Sequence, residues 1–284
     1  MKPLNDDAVT RDRIISLKRK FGILYGVAAG AAFAGASWGW DGYMLGQAHA
    51  YFPWSMLVIG LTYCALLGAL SGWLTARFES SLLGIVFWLG AAAGFAWMMV
   101  ALPLEINPEI IARLDPQLGA YLNYGENSEF AFRFGASLIW VLPFMLIVGV
   151  AQIAVSEAAV FSNSILGKVG PLLFCAVVMM ASGAFTDNLI NAHFRDAVTA
   201  VDATIQFVVD NQGNENPDPE QSRQLHARAL WDVKDQVQDE RKLFVGSYDD
   251  YLGEFHVLVR FGNEWVDCLV LYNQLNTCRP AVPN

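Results

Sequence analysis

Five long stretches of this chain contain no charged residue, and each is long enough to cross a lipid bilayer. About 20 residues of helix span the roughly 30 Å hydrocarbon core, because a helix rises about 1.5 Å per residue. The stretches are residues 21–40, 52–76, 80–104, 134–156 and 169–186. They lack the period-2 alternation of a membrane β-barrel. The sequence therefore predicts an all-α membrane domain of five transmembrane helices over residues 21–186.

The distribution of charge predicts the orientation of the chain. Residues 1–20 carry six basic and three acidic side chains, and flanks rich in Lys and Arg stay in the cytoplasm. We expect a cytoplasmic tail at residues 1–20 and, after five crossings of a bacterial-type inner membrane, an extracytoplasmic C-terminus. Residues 187–284 carry 16 acidic and 8 basic side chains. Such an acidic surface argues against nucleic acid as a partner, because phosphates repel it.

The cysteines give an independent indication of compartment. Cys268 and Cys278 lie ten positions apart in the region predicted to be external, where an oxidising environment allows a disulfide. Their spacing does not supply the four ligands of a zinc site. We therefore predict a disulfide and no metal. Cys64 and Cys175 lie within spans and are predicted to be buried thiols.

The outer loop at residues 105–132 contains two signals for the start of a helix. Asn107-Pro108-Glu109 and Asp115-Pro116 each place a capping side chain before a proline at the first helical position. These signals predict short helices that lie on the outer surface of the membrane.

The C-terminal third of the chain is predicted to form an external domain. Residues 187–217 are predicted to form a helical extension of the last span followed by a polar linker. Residues 218–284 read as a small α+β domain, a helix plus a β-hairpin, in which a helix at residues 220–242 covers the hairpin.

The hairpin has a well-specified register. Two β-rich runs, residues 254–261 and 264–272, flank Gly262-Asn263, and a two-residue turn with glycine predicts a hairpin. The register places one set of apolar residues on a single face: Phe255, Val257, Val259, Phe261, Val266, Cys268 and Val270. The other face brings Asp267 close to His256 and Arg260. This second face carries the predicted interaction residues, since exposed apolar and aromatic side chains often mark contact sites; they are Leu258, Arg260, Trp265 and Leu269.

Small residues recur at every fourth position in the first three spans. Such stripes let helix backbones approach closely, which drives helix association in lipid. The predicted packing residues are Gly22, Gly26, Gly30, Gly60, Gly68, Gly72, Gly90 and Gly94. The stripes favour tight packing of these spans, with self-association or a sliding helix as the alternative.

The sequence is taken to contain no HExxH, G-x-S-x-G or P-loop pattern, and the spans lack the charged residues that mark ion pathways. We therefore predict no catalytic, cofactor or metal site. The chain is expected to be a structural or accessory subunit that contacts other membrane subunits, or a second copy, through its external domain. One alternative is a carrier for a small neutral or apolar solute. Another is a membrane enzyme with a metal or acid/base site at its outer face, built from His49, His193, Asp187 and Glu105.

Overall fold

The structure is a computed structural model that describes residues 4–78, 80–103, 107–122, 130–210, 241–249 and 252–283. The helices are α1 (Leu4–Ala34), α2 (Trp40–Gln47), α3 (Trp54–Phe78), α4 (Ser81–Ala101), α5 (Asn107–Leu114), α6 (Pro116–Gly119), α7 (Phe130–Phe161) and α8 (Ile165–Asp210), and a π-helical turn (Gly35–Gly39) joins α1 to α2. The strands are β1 (Arg241–Asp249), β2 (Glu254–Phe261), β3 (Glu264–Leu271) and β4 (Gln274–Pro280).

The chain divides into two compact units. The first comprises Met1–Trp40, Ser55–Leu102 and Ala131–Ile190. The second comprises Asp41–Trp54, Pro103–Phe130 and Asn191–Asn284. The second unit is thus larger than the predicted C-terminal domain, because it also takes in two earlier loops and the last part of α8.

Five of the described helical stretches are long and apolar enough to cross a membrane, which confirms the five predicted apolar helices. They are Asp12–Gln47, Trp54–Phe78, Leu82–Ala101, Phe130–Phe161 and Ile165–Asp210. The last of them, α8, has 46 residues and is about 69 Å long at 1.5 Å per residue. That is more than twice the roughly 30 Å hydrocarbon thickness. The helical extension predicted after the last span is therefore present.

Glycines bring the backbones of α1 and α3 together in the first unit. A Cβ atom built on any of the glycines at this contact would lie under 3.0 Å from a backbone atom of the facing helix. The facing pairs are Gly22 with Gly72, Gly26 with Gly68, and Gly30 with Cys64. In a lipid bilayer, which supplies no hydrophobic force between helices, close backbone packing of this kind is a main source of helix association.

The other predicted packing glycines lie in different surroundings. Gly60 makes room for the buried ring of Trp38 rather than for a helix backbone. Gly94 faces the side chain of Leu67, whereas a Cβ atom at Gly90 would have no atom within 4 Å among the described residues. Among the described residues, the small-residue stripe of α4 therefore approaches a side chain at Gly94 and no atom at Gly90.

The helices α7 and α8 bury polar groups that flank or interrupt the apolar spans. Gln152 is fully buried, and its Nε2 donates to the carbonyl of Gly22 at 3.4 Å. Arg133 is 2% exposed, and its Nη2 donates to the carbonyl of Ile190 at 3.3 Å. Asp187 is also fully buried. Arg133 and Asp187 lie within helices but outside the five charge-free stretches, because α7 and α8 extend beyond those stretches.

The sheet in the second unit is an antiparallel meander in the order β1-β2-β3-β4. The β2–β3 hairpin has the predicted register, with Val257 opposite Cys268 and Val259 opposite Val266. Gly262 takes the left-handed conformation, φ +56°, at the turn, where glycine carries no steric penalty. The hairpin prediction is confirmed, and two further strands flank it.

The apolar face of the sheet packs against the C-terminal half of α8. The helix contributes Ala197, Val198, Val201 and Ile205 to one buried cluster with Phe255, Val257, Val259, Phe261, Val266, Cys268 and Val270. Their spacing of three and four residues places them on one side of the helix. A helix at residues 220–242 is predicted to cover this face. Its residues 220–240 lie outside the described residues. Its predicted end is wrong, because Arg241 and Lys242 begin β1.

Substitution of Gly26 by alanine is expected to destabilise the first unit by roughly 1–3 kcal/mol, because the new methyl group collides with the backbone of α3. Thermal unfolding of the chain in mild detergent, followed by circular dichroism, measures this. Gly90→Ala is the matched control and should leave the melting temperature unchanged or raise it, since the added Cβ has no described atom within 4 Å. Equal melting temperatures for the two variants would contradict this account of the helix contact.

Candidate functional site

The face of the sheet that points away from α8 has an aromatic half and a polar half. In the aromatic half, Phe244, Leu258 and Trp265 form a buried cluster with Ile111 of α5 and Leu118 of α6. These two short helices begin where the sequence predicts. Their amphipathic surface contacts the sheet, which the prediction of helices on the membrane surface did not anticipate.

The predicted interaction residues are therefore not an exposed apolar patch. Leu258 and Trp265 are only 4% and 8% exposed, and Leu269 is half-buried. The guanidinium of Arg260 lies 5.3 Å from the centre of the Trp265 ring and donates to Asp115 Oδ2 at 3.1 Å. Asp115 also caps α6, since its Oδ1 accepts from the backbone N–H of Leu118 at 3.1 Å. The expectation that these side chains are exposed is wrong for Leu258 and Trp265.

The polar half of the same face forms one wall of a cleft of about 420 Å³. The cleft combines charged and hydrogen-bonding groups with apolar ones. It is lined by Tyr121, Gly246, Ser247, His256, Leu258, Asp267, Arg279, Pro280, Ala281, Val282 and Pro283. We call this the sheet cleft.

His256 is held between two carboxylates in the wall of the sheet cleft. Its Nδ1 lies 3.0 and 3.1 Å from the two carboxylate oxygens of Asp267 on β3. Its Nε2 lies 3.2 Å from Oε1 of Glu254, two residues earlier on β2. Arg279 of β4 extends the group, with Nη2 3.5 Å from Asp267 Oδ2. The cross-strand contact of His256 with Asp267, expected from the hairpin register, is confirmed.

A β-bulge shapes the other side of the wall. The register between β1 and β2 shifts between Val245 and Ser247, so that Ser247 faces His256. Gly246 lies at the bulge, and a Cβ atom there would be 2.8 Å from Cγ of Leu258. The missing side chain at Gly246 thus leaves space beside Leu258, where the cleft opens. Bulges of this kind commonly re-aim side chains near functional sites.

The surroundings of His256 favour its charged form. The hydrogen bond to Asp267 is the largest influence and raises the pKa of His256 above its ordinary 6.5. Burial opposes this, while the charge of Asp267 and the contacts with Glu254 add to it. The wall of the sheet cleft therefore carries a histidine whose protonated form is stabilised by two carboxylates.

Two further polar clusters in the second unit are not predicted from the sequence. Arg195 of α8 pairs with Asp41 of α2, and both side chains are less than a tenth exposed. Asn191, one turn earlier on α8, donates to the same carboxylate at 3.4 Å. Removing one member of such a buried pair is strongly destabilising. This cluster therefore fixes α2 against α8.

The second of these clusters surrounds His49, whose backbone takes φ +54°. Its Nδ1 lies 3.3 Å from Oδ1 of Asp202, which also accepts from Nε of Arg241 at 3.0 Å. Ala50 forms a parallel bridge with Leu243 of β1. This cluster and the bridge together hold the loop after α2 against the start of the sheet.

The metal site proposed at the outer face as an alternative drew on His193, Asp187 and Glu105 besides His49. No group of three His, Cys, Asp or Glu side chains that could hold a metal ion exists in the part of the chain that the structure describes. Glu105 lies outside the described residues. His193 and Asp187 lie in different units.

The segment Gly35–Gly39 (GASWG) matches the G-x-S-x-G pattern of serine hydrolases, so the expectation that the sequence lacks this pattern is wrong. The pattern has catalytic meaning on a tight strand-to-helix turn that exposes the serine. Here it forms a π-helical turn, and Ser37 is fully buried with its Oγ donating to the carbonyl of Phe33 at 3.0 Å. The structural context of a nucleophile is missing at Ser37.

Cys268 and Cys278 lie directly opposite each other on β3 and β4, with 4.0 Å between their Cα atoms and their sulfur atoms at bonding distance. This fits the predicted disulfide. The bond ties β4, which carries Arg279 of the sheet cleft, to the central hairpin. The two remaining cysteines, Cys64 and Cys175, are buried free thiols.

Comparison of the chain with protein-family models, with curated proteins and with solved structures found no match.

Replacing Cys268 and Cys278 together by serine is expected to lower the free energy of unfolding of the sheet by about 2–3 kcal/mol, because a ten-residue loop is no longer closed in the unfolded chain. Urea unfolding of the chain in detergent, followed by tryptophan fluorescence, measures the loss. Reductant should lower the stability of the wild-type chain by the same amount and leave the double variant unchanged. A wild-type chain indifferent to reductant would contradict the role of this bond.

Proposed function

We propose that the chain is a multi-pass membrane protein that acts as a structural or accessory subunit and binds a polypeptide partner in the sheet cleft. The cleft is the observation that carries this proposal. It offers an apolar wall, the His256–Asp267 pair and an exposed arginine side by side, which is the mixture found in protein contact sites. Since Leu258 and Trp265 are covered, the cleft replaces the aromatic surface as the proposed contact region.

Membrane location is supported by the outer surface of the first unit. Large apolar side chains there are more than 60% exposed, including Leu66, Leu82 and Ile139. A water-soluble protein rarely exposes a continuous surface of this kind, whereas lipid is a suitable solvent for it. The basic tail at residues 1–20 and the disulfide support an inner membrane location with the N-terminus in the cytoplasm and the second unit outside.

This orientation predicts opposite labelling of two introduced cysteines. In intact cells, a membrane-impermeant maleimide should label Lys242→Cys, an exposed position on β1, and should label Asp12→Cys only after the cells are lysed. Both positions are exposed in the structure. Cys64 and Cys175 are buried in both variants, so the unmodified chain is the control for background. Labelling of position 12 alone in intact cells would overturn the proposed orientation.

Docking in the cleft predicts a position-dependent cross-link. A photoreactive phenylalanine analogue at Arg279, whose side chain is 69% exposed at the cleft, should give a discrete adduct with a protein partner in cells. The same analogue at Glu264, exposed on β3 away from the cleft, is the matched control and should give none. Filling the cleft with Ser247→Trp should abolish the adduct.

Equal adducts at both positions would indicate non-specific contact and contradict docking in the cleft. An Arg279 adduct that survives Ser247→Trp would do the same. A chain that purifies in mild detergent without any partner or second copy, and forms no adduct in cells, would overturn the accessory-subunit proposal altogether.

A further inference from the structure

His256 differs from the other described histidines in having a carboxylate at each ring nitrogen. Asp267 approaches Nδ1 from the neighbouring strand, and Glu254 approaches Nε2 from the same strand. The His256 side chain is 23% exposed, and that of Asp267 is 15% exposed. The three groups are thus partly shielded from water, which strengthens their mutual interaction.

The geometry favours a doubly protonated imidazole. An ionised carboxylate only accepts hydrogen bonds, and a neutral imidazole has one N–H to donate. Both contacts are therefore hydrogen bonds only when His256 carries two protons. Loss of one proton would leave a nitrogen lone pair 3.0 to 3.2 Å from a carboxylate oxygen, where the two repel each other.

The other charged and titratable groups around His256 leave this preference in place. On β1, Ser247 faces His256 and Asp249 faces Glu254. On β4, Arg279 opposes a positive charge on His256, but its side chain is 69% exposed and directed to Asp267. The phenol of Tyr121 lines the cleft, and the segment at residues 280–283 contributes no titratable side chain. Carboxylates thus outnumber cations around the ring.

We propose that His256 is a proton-controlled latch of the sheet cleft, which holds β2 to β3 while it is protonated and releases this wall when the proton is lost. The latch extends to β4, because Asp267 also contacts Arg279. With the proton, the four groups His256, Asp267, Glu254 and Arg279 balance in charge. Without it, the four groups carry a net negative charge, and only one of the two carboxylates can still accept a hydrogen bond from the ring. This regulation of partner docking rests on the proposed function, whereas the latch itself is a property of the chain alone.

The sign of the pH dependence follows from the raised pKa of His256. A group whose pKa is higher in the folded than in the unfolded chain adds stability that is fully present below the unfolded value of 6.5 and is lost as the pH rises through the folded value. The wild-type sheet should therefore lose stability as the pH rises above 6.5. A His256→Gln variant should lack this component of the pH profile.

Nuclear magnetic resonance of the full chain in detergent, with nitrogen-15 in its histidines, tests the latch directly. The resonances of His256 are assigned by their absence in His256→Gln. We expect His256 to titrate at a higher pH in the folded chain than in the same chain in denaturant. Asp267→Asn should move this titration to lower pH, and Glu264→Gln, a carboxylate of the same strand away from the ring, should not. A folded-state titration at or below the denatured value, or one indifferent to Asp267→Asn, would overturn the latch.

A cross-link from the same analogue at Val282, which also lines the cleft and is not one of the four latch groups, tests the regulatory part. Its yield should fall severalfold between pH 6 and pH 8.5 in an otherwise wild-type chain and should stay constant in His256→Gln. An adduct of equal yield at both pH values would overturn the regulation while leaving docking in the cleft intact. Absence of any adduct together with a raised titration would overturn the docking proposal, and with it the regulation, but not the latch.

Discussion

The contact between the C-terminal half of α8 and the apolar face of the sheet is the interaction on which the second unit depends. The apolar face of the sheet stabilises the fold only where it is removed from water, because burial of apolar surface is the dominant favourable term in folding. Val198, Val201 and Ile205 supply the cover, and each large apolar side chain that is buried contributes roughly 1.5–3 kcal/mol. The same helix, α8, is the last of the five long apolar helices.

The alternation of side chains along the strands then determines the opposite face. With Val257 and Val259 directed to α8, His256 and Leu258 must point the other way. A one-residue slip would expose the valines and bury the histidine, so the apolar contact fixes the polar wall of the cleft as well. The position of His256 beside Asp267 therefore follows from the packing of the apolar core.

The features that could be predicted from sequence are those with a strong local cause. The β2–β3 register was predictable because Gly262-Asn263 is a standard hairpin turn and the valines alternate on both sides of it. The strand β4 was not, since its sequence has few apolar residues and its turn is Tyr272-Asn273, where both residues take positive φ without a glycine. Asp115 predicted the start of α6, but no local sequence pattern indicated that Leu118 would pack against Trp265 rather than face lipid.

The candidate site, too, could be predicted from the sequence only in part. The His256–Asp267 contact followed from the hairpin register alone. The cleft did not, because Tyr121 and Arg279 come from segments far apart in the chain, and a bulge at Gly246 has no signal distinct from any other glycine in a strand. The buried pair of Asp41 and Arg195 was equally hidden, since 154 positions separate its members.

The second unit collects three separated parts of the chain, and this has a consequence for biosynthesis. The loop with Ala50 and the helices α5 and α6 are synthesised long before the strands they contact, such as β1, with which Ala50 pairs. Ile111 and Leu118 therefore emerge from the ribosome without the surface that shields them. A nascent chain that stalls before β1 leaves these apolar side chains without their cover, and exposed surface of this kind makes incomplete chains prone to aggregation.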